Sequence, residues 1–232
     1  MKPALCSAAV YNRANARFSK EERTSVTMHC HDRKNGEEAA TVFEDRRGDR
    51  VEIKYLDNAS GIREAFLRRF VLTWEAFQAR CGDWMRKMSE SGHPITRQWY
   101  DRSFLWDKMS PEYPWVSMKE ALDFLRERSG KLRFMTETGN KLFRNEEKSV
   151  DSVAEADARA LADRIERDWF ESYRLAEQFM FIPNQIADDV YVFDPSLKWC
   201  AVFTHETSDR EAERNEDARK TAESRLCILC KG

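Results

Sequence analysis

The stretch DVYVFDPSLKWCAVFTHE, residues 189–206, decides the fold class. Two apolar runs, 190–193 and 199–204, flank the turn sequence Asp-Pro-Ser at 194–196. This pattern predicts a β-hairpin. Most positions of both runs are apolar, whereas a strand covered on one face alternates apolar with polar residues. We therefore expect the hairpin to lie in a sheet that is packed on both faces.

A second group of strands is predicted over residues 24–56. Apolar and polar residues alternate over 26–31 and again over 51–55, which is the period of a half-buried strand. Asn35-Gly36 is a strong hairpin turn, and residues 39–43 supply the return strand. These features together predict a three-stranded meander.

Helical patterns cover much of the rest of the chain. Apolar residues recur every three or four positions over 61–89, which predicts one long amphipathic helix. A capping box of Ser152 and Glu155 predicts a second long helix over 152–179, and Ser117 with Glu120 forms another box before a short helix. A third box opens a polar helix over 208–224, and the apolar tail 226–230 could add an edge strand.

The order of these elements does not alternate strictly between strand and helix, so we expect an α+β fold rather than a parallel α/β fold. We predict one domain over 1–232, with an antiparallel or mixed sheet packed against the two long helices. Aromatic residues make up 12% of the chain, which supports a packed core. Charged residues make up 34%, and we expect most of them at the surface.

Charge and composition limit the classes of partner. The 39 basic and 41 acidic residues give a net charge of −2, so no overall attraction to nucleic acid or anionic lipid is expected. The arginines of the first long helix offer a nucleic-acid alternative, but acidic residues interrupt them.

No apolar run is long enough to cross a bilayer. Six dispersed cysteines fit a reducing compartment, so we expect a cytoplasmic protein.

The aromatic segment, residues 95–116, is the first candidate binding surface. It combines rings with arginines, a composition that binding hot spots prefer. The predicted contact residues are Trp99, Tyr100, Arg102, Trp106 and Trp115. The simpler alternative is that these rings fill the core beneath a long loop.

His205 and Glu206 close the hairpin and are the candidate catalytic residues. A histidine beside a carboxylate can transfer protons. Neighbouring residues on a regular strand point to opposite faces, however, which argues against one site that uses both. Glu206 could instead stabilise the start of the following helix.

A metal site is a further alternative. His29 and His31 share one face of a predicted strand, and Cys227 and Cys230 form a C-x-x-C pair, so these four residues could bind zinc. The simpler interpretation is two surface histidines and buried thiols, and we predict no cofactor. The chain contains no P-loop, no G-x-G-x-x-G and no H-E-x-x-H.

The hairpin pattern YVFD, LKW and VFTHE resembles the C-terminal hairpin of small uncharacterised bacterial proteins, some of them immunity-type proteins of toxin systems. The resemblance covers about 18 residues and implies a binding protein without assigning a catalytic residue. We therefore expect a binding or regulatory protein that acts on another protein, and an immunity-type inhibitor is one such protein. The alternative is a metal-dependent or acid–base enzyme that uses His29, His31, His205 and Glu206.

Overall fold

The computed structural model describes residues 27–30, 40–44, 50–137, 152–179, 189–207 and 225–231. The strands are β1 (Thr27–Cys30), β2 (Ala40–Glu44), β3 (Arg50–Tyr55), β4 (Trp115–Ser117), β5 (Lys131–Thr136), β6 (Ala154–Asp157), β7 (Val190–Phe193), β8 (Trp199–Thr207) and β9 (Arg225–Lys231). The helices are α1 (Ala59–Phe70), α2 (Trp74–Glu90), α3 (Arg97–Arg102), α4 (Met118–Arg126) and α5 (Ala158–Phe179), with a 3-10 turn at Trp106–Lys108.

These strands form a single sheet in the order β1-β2-β3-β6-β5-β7-β8-β9-β4. Every pairing in it is antiparallel. The sheet and its helices confirm the α+β prediction. The predicted meander is present as β1, β2 and β3, and the predicted hairpin as β7 and β8.

Both faces of the central sheet are buried. On β7, Val190 and Val192 pack into the core beneath α4 and α5, whereas Tyr191 and Phe193 pack into a second core beneath α1 and the aromatic segment. Alternate residues of one strand therefore serve two cores, which explains why the hairpin sequence is apolar at nearly every position. Burial of each such side chain contributes about 1.5–3 kcal/mol to folding.

The prediction of a single long helix over 61–89 is wrong. The chain leaves the helix after Phe70, and Val71 forms an isolated antiparallel bridge with Met109. Thr73 then starts α2, because its hydroxyl accepts a hydrogen bond from the Ala76 amide at 3.3 Å. The apolar stripe continues across the break, but its two halves pack in different places. Phe70 belongs to the core beneath α1, and Phe77 belongs to a small aromatic cluster between α2 and α3.

The second long helix begins later than predicted. Residues 154–157 form β6, which pairs with both β3 and β5, so Ser152 and Glu155 do not cap a helix. Asp157 caps α5 instead, since its carboxylate accepts hydrogen bonds from the amides of Arg159 and Ala160 at 3.0 and 3.1 Å. The other capping box is confirmed, with Ser117 and Glu120 each bonded to the other's amide at the start of α4.

The apolar tail forms β9, which has β8 on one side and β4 on the other. It is therefore an interior strand and not the edge strand expected from the sequence. The polar helix predicted over 208–224 lies outside the described residues. In the described part of the chain, none of the helices has the length and apolar character that a membrane span needs.

Candidate functional site

The aromatic segment divides into a surface part and a buried part. At its start, Thr96 caps α3 by accepting a hydrogen bond from the Trp99 amide at 3.2 Å. Tyr100 is only 8% exposed and packs against Phe77 with a ring-centre distance of 5.4 Å. Its hydroxyl donates to the carbonyl of Leu72. Tyr100 was predicted as a contact residue, but its burial makes it a structural residue that holds α3 on α2.

Trp99 and Arg102 remain at the surface of α3. The half-buried Trp99 ring packs against Phe77 and Trp84, with ring-centre distances of 6.3 and 6.0 Å. Arg102 is exposed and, within the described residues, has no ion-pair partner. Beside them lies an open groove of about 350 Å³. We call it the α3 groove; it is lined by Thr96, Gln98, Trp99, Arg102 and Ser103.

Trp106, further along the segment, is a buried residue. It is 4% exposed, and its indole N–H donates to a carboxylate oxygen of Asp189 at 3.0 Å. The half-buried Trp115 meets the Trp106 ring edge-on at 5.8 Å. Trp106 was also predicted as a contact residue, but it is inaccessible to a partner. It instead anchors the segment to the sheet.

His205 and Glu206 lie close together, contrary to the expectation from strand alternation. The pairing of β8 with β9 is irregular between Phe203 and Thr207, so extra residues are accommodated on β8 there. Such a bulge turns side chains away from their regular directions. As a result, Nε2 of His205 lies 3.7 Å from Oε1 of Glu206. The bulge thus makes a joint site for the two residues possible.

Asp189 orients the His205 ring. One of its oxygens is 2.9 Å from Nδ1 of His205 and accepts the His205 amide N–H at 2.7 Å. A carboxylate can only accept, so Nδ1 carries the proton. The other nitrogen, Nε2, is thereby directed toward Glu206, and the His205 side chain is 18% exposed. Phe104 covers the ring edge-on at 4.8 Å.

Two more carboxyl groups lie next to this pair. Glu137 accepts the Leu105 amide at 2.8 Å and the Tyr191 hydroxyl, and burial raises its pKa to about 7 despite these hydrogen bonds. Burial also raises the pKa of Asp107 to about 7, and the charges of Glu137, Glu206 and Asp189 add to that rise. We call the five residues the carboxyl–histidine cluster: Asp107, Glu137, Asp189, His205 and Glu206.

One cation lies close to the cluster. Lys108 is 9% exposed, and burial lowers its pKa while the carboxylates of Glu137, Asp107 and Asp101 oppose that change. Its ammonium group also lies 5.1 Å from the centre of the Tyr100 ring. Lys108 therefore links the buried carboxyls to the base of α3.

The carboxyl–histidine cluster holds the 104–109 loop against the sheet. Its hydrogen bonds join the 104–109 loop to the end of β5, the start of β7 and the bulge of β8. Such polar networks fix one conformation when their members are satisfied. The cluster also holds groups able to exchange protons near neutral pH, which is a common property of functional sites.

The predicted zinc ligands are not brought together. Cys227 faces the core beneath α4 and α5, whereas Cys230 faces the opposite core, because three residues along a strand reverse the face. His29 lies on β1, six strands from β8 in the sheet order, which is roughly 29 Å along the sheet at about 4.8 Å per strand. His31 lies outside the described residues. Within those residues, no three His, Cys, Asp or Glu side chains are placed to hold one metal ion.

Sequence reasoning missed Asp107, Glu137 and Asp189 as members of the site. These residues are far apart in the chain. The antiparallel pairing of β5 with β7 and of β7 with β8 brings Glu137 and Asp189 to His205. Hydrogen bonds of Leu105 and Trp106 then hold the loop that carries Asp107 against Glu137 and Asp189. The usable signal was an aspartate directly before a fully apolar strand, at Asp189. A carboxylate at the start of a buried strand needs polar partners nearby.

Comparisons of this chain with protein-family models, with curated proteins and with solved structures found no match.

Proposed function

We propose that this chain is a binding protein that holds another protein in the α3 groove. The observation that carries the proposal is the arrangement of Trp99 and Arg102. An indole whose inner side is fixed by Phe77 and Trp84 stands beside an exposed guanidinium that has no ion-pair partner among the described residues. Tryptophan and arginine are the side chains that most often dominate binding energy.

The surroundings of the groove favour binding because they are rigid. Arg97 is held by Asp101 at 2.9 Å, and Ser103 donates to the Tyr100 carbonyl at 2.9 Å at the other end of the helix. The carboxyl–histidine cluster fixes the loop that follows α3. A partner would therefore lose little free energy to ordering this surface.

The chemistry of the groove specifies the kind of partner. The Arg102 guanidinium suits a carboxylate, with which it can form two parallel hydrogen bonds. The exposed part of the Trp99 ring suits an apolar or aromatic side chain next to that carboxylate. We therefore propose that this chain is an immunity-type inhibitor that acts in the cytoplasm on a partner protein with an acidic, partly apolar segment.

Site-specific crosslinking tests this proposal. A photoreactive amino acid replaces Gln98 in the groove, and a matched variant carries it at Lys198, an exposed residue on the β7–β8 turn. Both variants are expressed in cells that naturally produce the chain and are irradiated. We expect one protein to be crosslinked through position 98 and not through position 198. Equal crosslinking from both positions, or none from position 98, would contradict the proposal.

A second candidate function is acid–base catalysis, and the oriented His205 favours it. Asp189 holds the ring so that Nε2 points toward Glu206, which is 30% exposed. His205 could accept a proton through Nε2 while Asp189 stabilises the resulting imidazolium. A panel of ester, amide and phosphoester substrates tests this candidate. Turnover that His205→Gln abolishes and His93→Gln preserves would support it, and equal rates in both variants would reject it.

A further inference from the structure

Two cysteine thiols face each other near one end of the β8–β9 pair. Cys200 is directly opposite Cys230 in the register, and both side chains are fully buried. The structure holds both as free thiols. Side chains directly opposite on antiparallel strands have Cβ atoms about 4.5–5.5 Å apart. The two sulfurs therefore lie on one face of the sheet, next to each other.

A third sulfur completes the group. The thioether sulfur of Met109 is 3.9 Å from Sγ of Cys230. Met109 is 4% exposed. It is held in place by its backbone bridge to Val71 and by its amide N–H, which donates a hydrogen bond to the Trp106 carbonyl. Three different parts of the chain, β8, β9 and the loop before β4, thus each contribute one sulfur, and Cys230 lies next to both of the others.

We propose that Cys200, Cys230 and Met109, the sulfur triad, bind one copper(I) ion. Metal–sulfur bonds of about 2.3 Å, the length found with zinc, place the three sulfurs of a trigonal site about 4 Å apart. The distance of 3.9 Å between Sγ of Cys230 and the Met109 sulfur matches that spacing. The proposal is independent of the α3 groove and of the function proposed for it.

The type of ligand selects the metal. Thiolate and thioether sulfurs are soft ligands that prefer copper(I), whereas magnesium, calcium and manganese prefer oxygen. Structural zinc sites need four ligands in a tetrahedron, and the triad supplies three. Binding releases two thiol protons and leaves the complex with one negative charge. Copper stays monovalent throughout, so no oxidant or reductant is needed.

A phenol close to the thiols can help to stabilise that charge. The pKa of Tyr113 is raised mainly by burial, and it also responds to Cys230, Arg69, Cys200 and Arg80. The effects of Cys230 and Cys200 place the Tyr113 phenol within electrostatic range of both thiols. Burial raises the pKa of Cys200 well above its usual value, so the metal–sulfur bonds must drive deprotonation. Copper affinity is therefore expected to fall as the pH is lowered.

Titration with copper(I) under anaerobic conditions tests the proposal, with a chromogenic copper(I) chelator as competitor. We expect the full chain to take one equivalent from the chelator, and Cys200→Ser and Cys230→Ser to take none. Cys227→Ser, which removes a buried thiol on the opposite face of β9, should behave like the unchanged protein. Met109→Leu keeps the side-chain volume and should weaken affinity by at least about tenfold, the lower end of what even outer-shell substitutions cost.

X-ray absorption of the copper-loaded protein provides a second readout that does not depend on how the variants fold. Three sulfur neighbours at a common distance support the triad, and circular dichroism checks that each variant keeps its secondary structure. Copper held equally by Cys200→Ser and the unchanged protein would overturn the proposal. So would a first shell of nitrogen and oxygen around the copper.

Discussion

The buried carboxyl of Glu137 makes a quantitative prediction for how stability depends on pH. Its pKa is about 7 in the folded protein, against 4.5 for an unperturbed glutamate, mainly because burial disfavours the charged form. A raised carboxyl pKa means that the folded state holds the proton more tightly than the unfolded chain. The stabilising effect is complete below about pH 4.5 and is lost as the pH rises toward 7.

The size of the effect follows from the two pKa values. Between about pH 5 and about pH 8, the linkage relation gives a loss of about 2.5 kcal/mol in the free energy of unfolding from Glu137 alone. Glu137→Gln cannot ionise and keeps an oxygen that can accept from the Leu105 amide. The variant should therefore lose about 2.5 kcal/mol less than the unchanged protein over that pH range.

Urea unfolding followed by tryptophan fluorescence measures this difference, at about pH 5, 6, 7 and 8 and constant ionic strength. Other carboxylates contribute their own pH dependence, so the comparison is between the unchanged protein and the variant at each pH. Glu127→Gln, at an exposed position after α4, is the matched control and should follow the unchanged protein. Parallel curves for Glu137→Gln and the unchanged protein would refute the reasoning.

Two further predictions concern the stability of α4. Leu122 is fully buried against α5 and the sheet, so Leu122→Ala should lower the free energy of unfolding by about 2–5 kcal/mol, whereas Lys119→Ala on the exposed side should change it by less than about 0.5 kcal/mol. Chemical denaturation decides this, and equal losses would show that the α4 core has been misassigned. Ser117 caps α4 in a complete capping box, so Ser117→Ala should cost about 0.5–2 kcal/mol and Ser117→Gly clearly less in the same assay. An alanine variant as stable as the unchanged protein would mean that the cap contributes nothing.

The sequence predicted those parts of the fold whose signals are local. The hairpin around 189–206 has two apolar runs and a turn, and the box at Ser117 and Glu120 has both of its partners within one helical turn. The element boundaries that failed depend on distant contacts. Residues 154–157 have the sequence Ala-Glu-Ala-Asp, which has little intrinsic preference for a strand. They form β6 because β3 and β5 supply hydrogen-bond partners on both sides.

The candidate site was only partly predictable for the same reason. His205, Glu206 and Trp106 could each be singled out from the sequence, but nothing local shows that Asp189 connects them. The objection that neighbouring strand residues face apart was sound for a regular strand and failed at a bulge. The C-x-x-C spacing likewise drew attention to Cys227 and Cys230, whereas strand pairing places Cys200 opposite Cys230.

The central claim is that the α3 groove binds a protein partner through Trp99 and Arg102. Isothermal titration of the partner identified by crosslinking tests it most directly, with the unchanged protein, Arg102→Glu and the control Lys198→Glu measured at one salt concentration. The claim predicts that Arg102→Glu weakens binding by about 30-fold or more, corresponding to a hot-spot loss of at least about 2 kcal/mol, while Lys198→Glu leaves it unchanged. Equal affinity for all three proteins would contradict the claim.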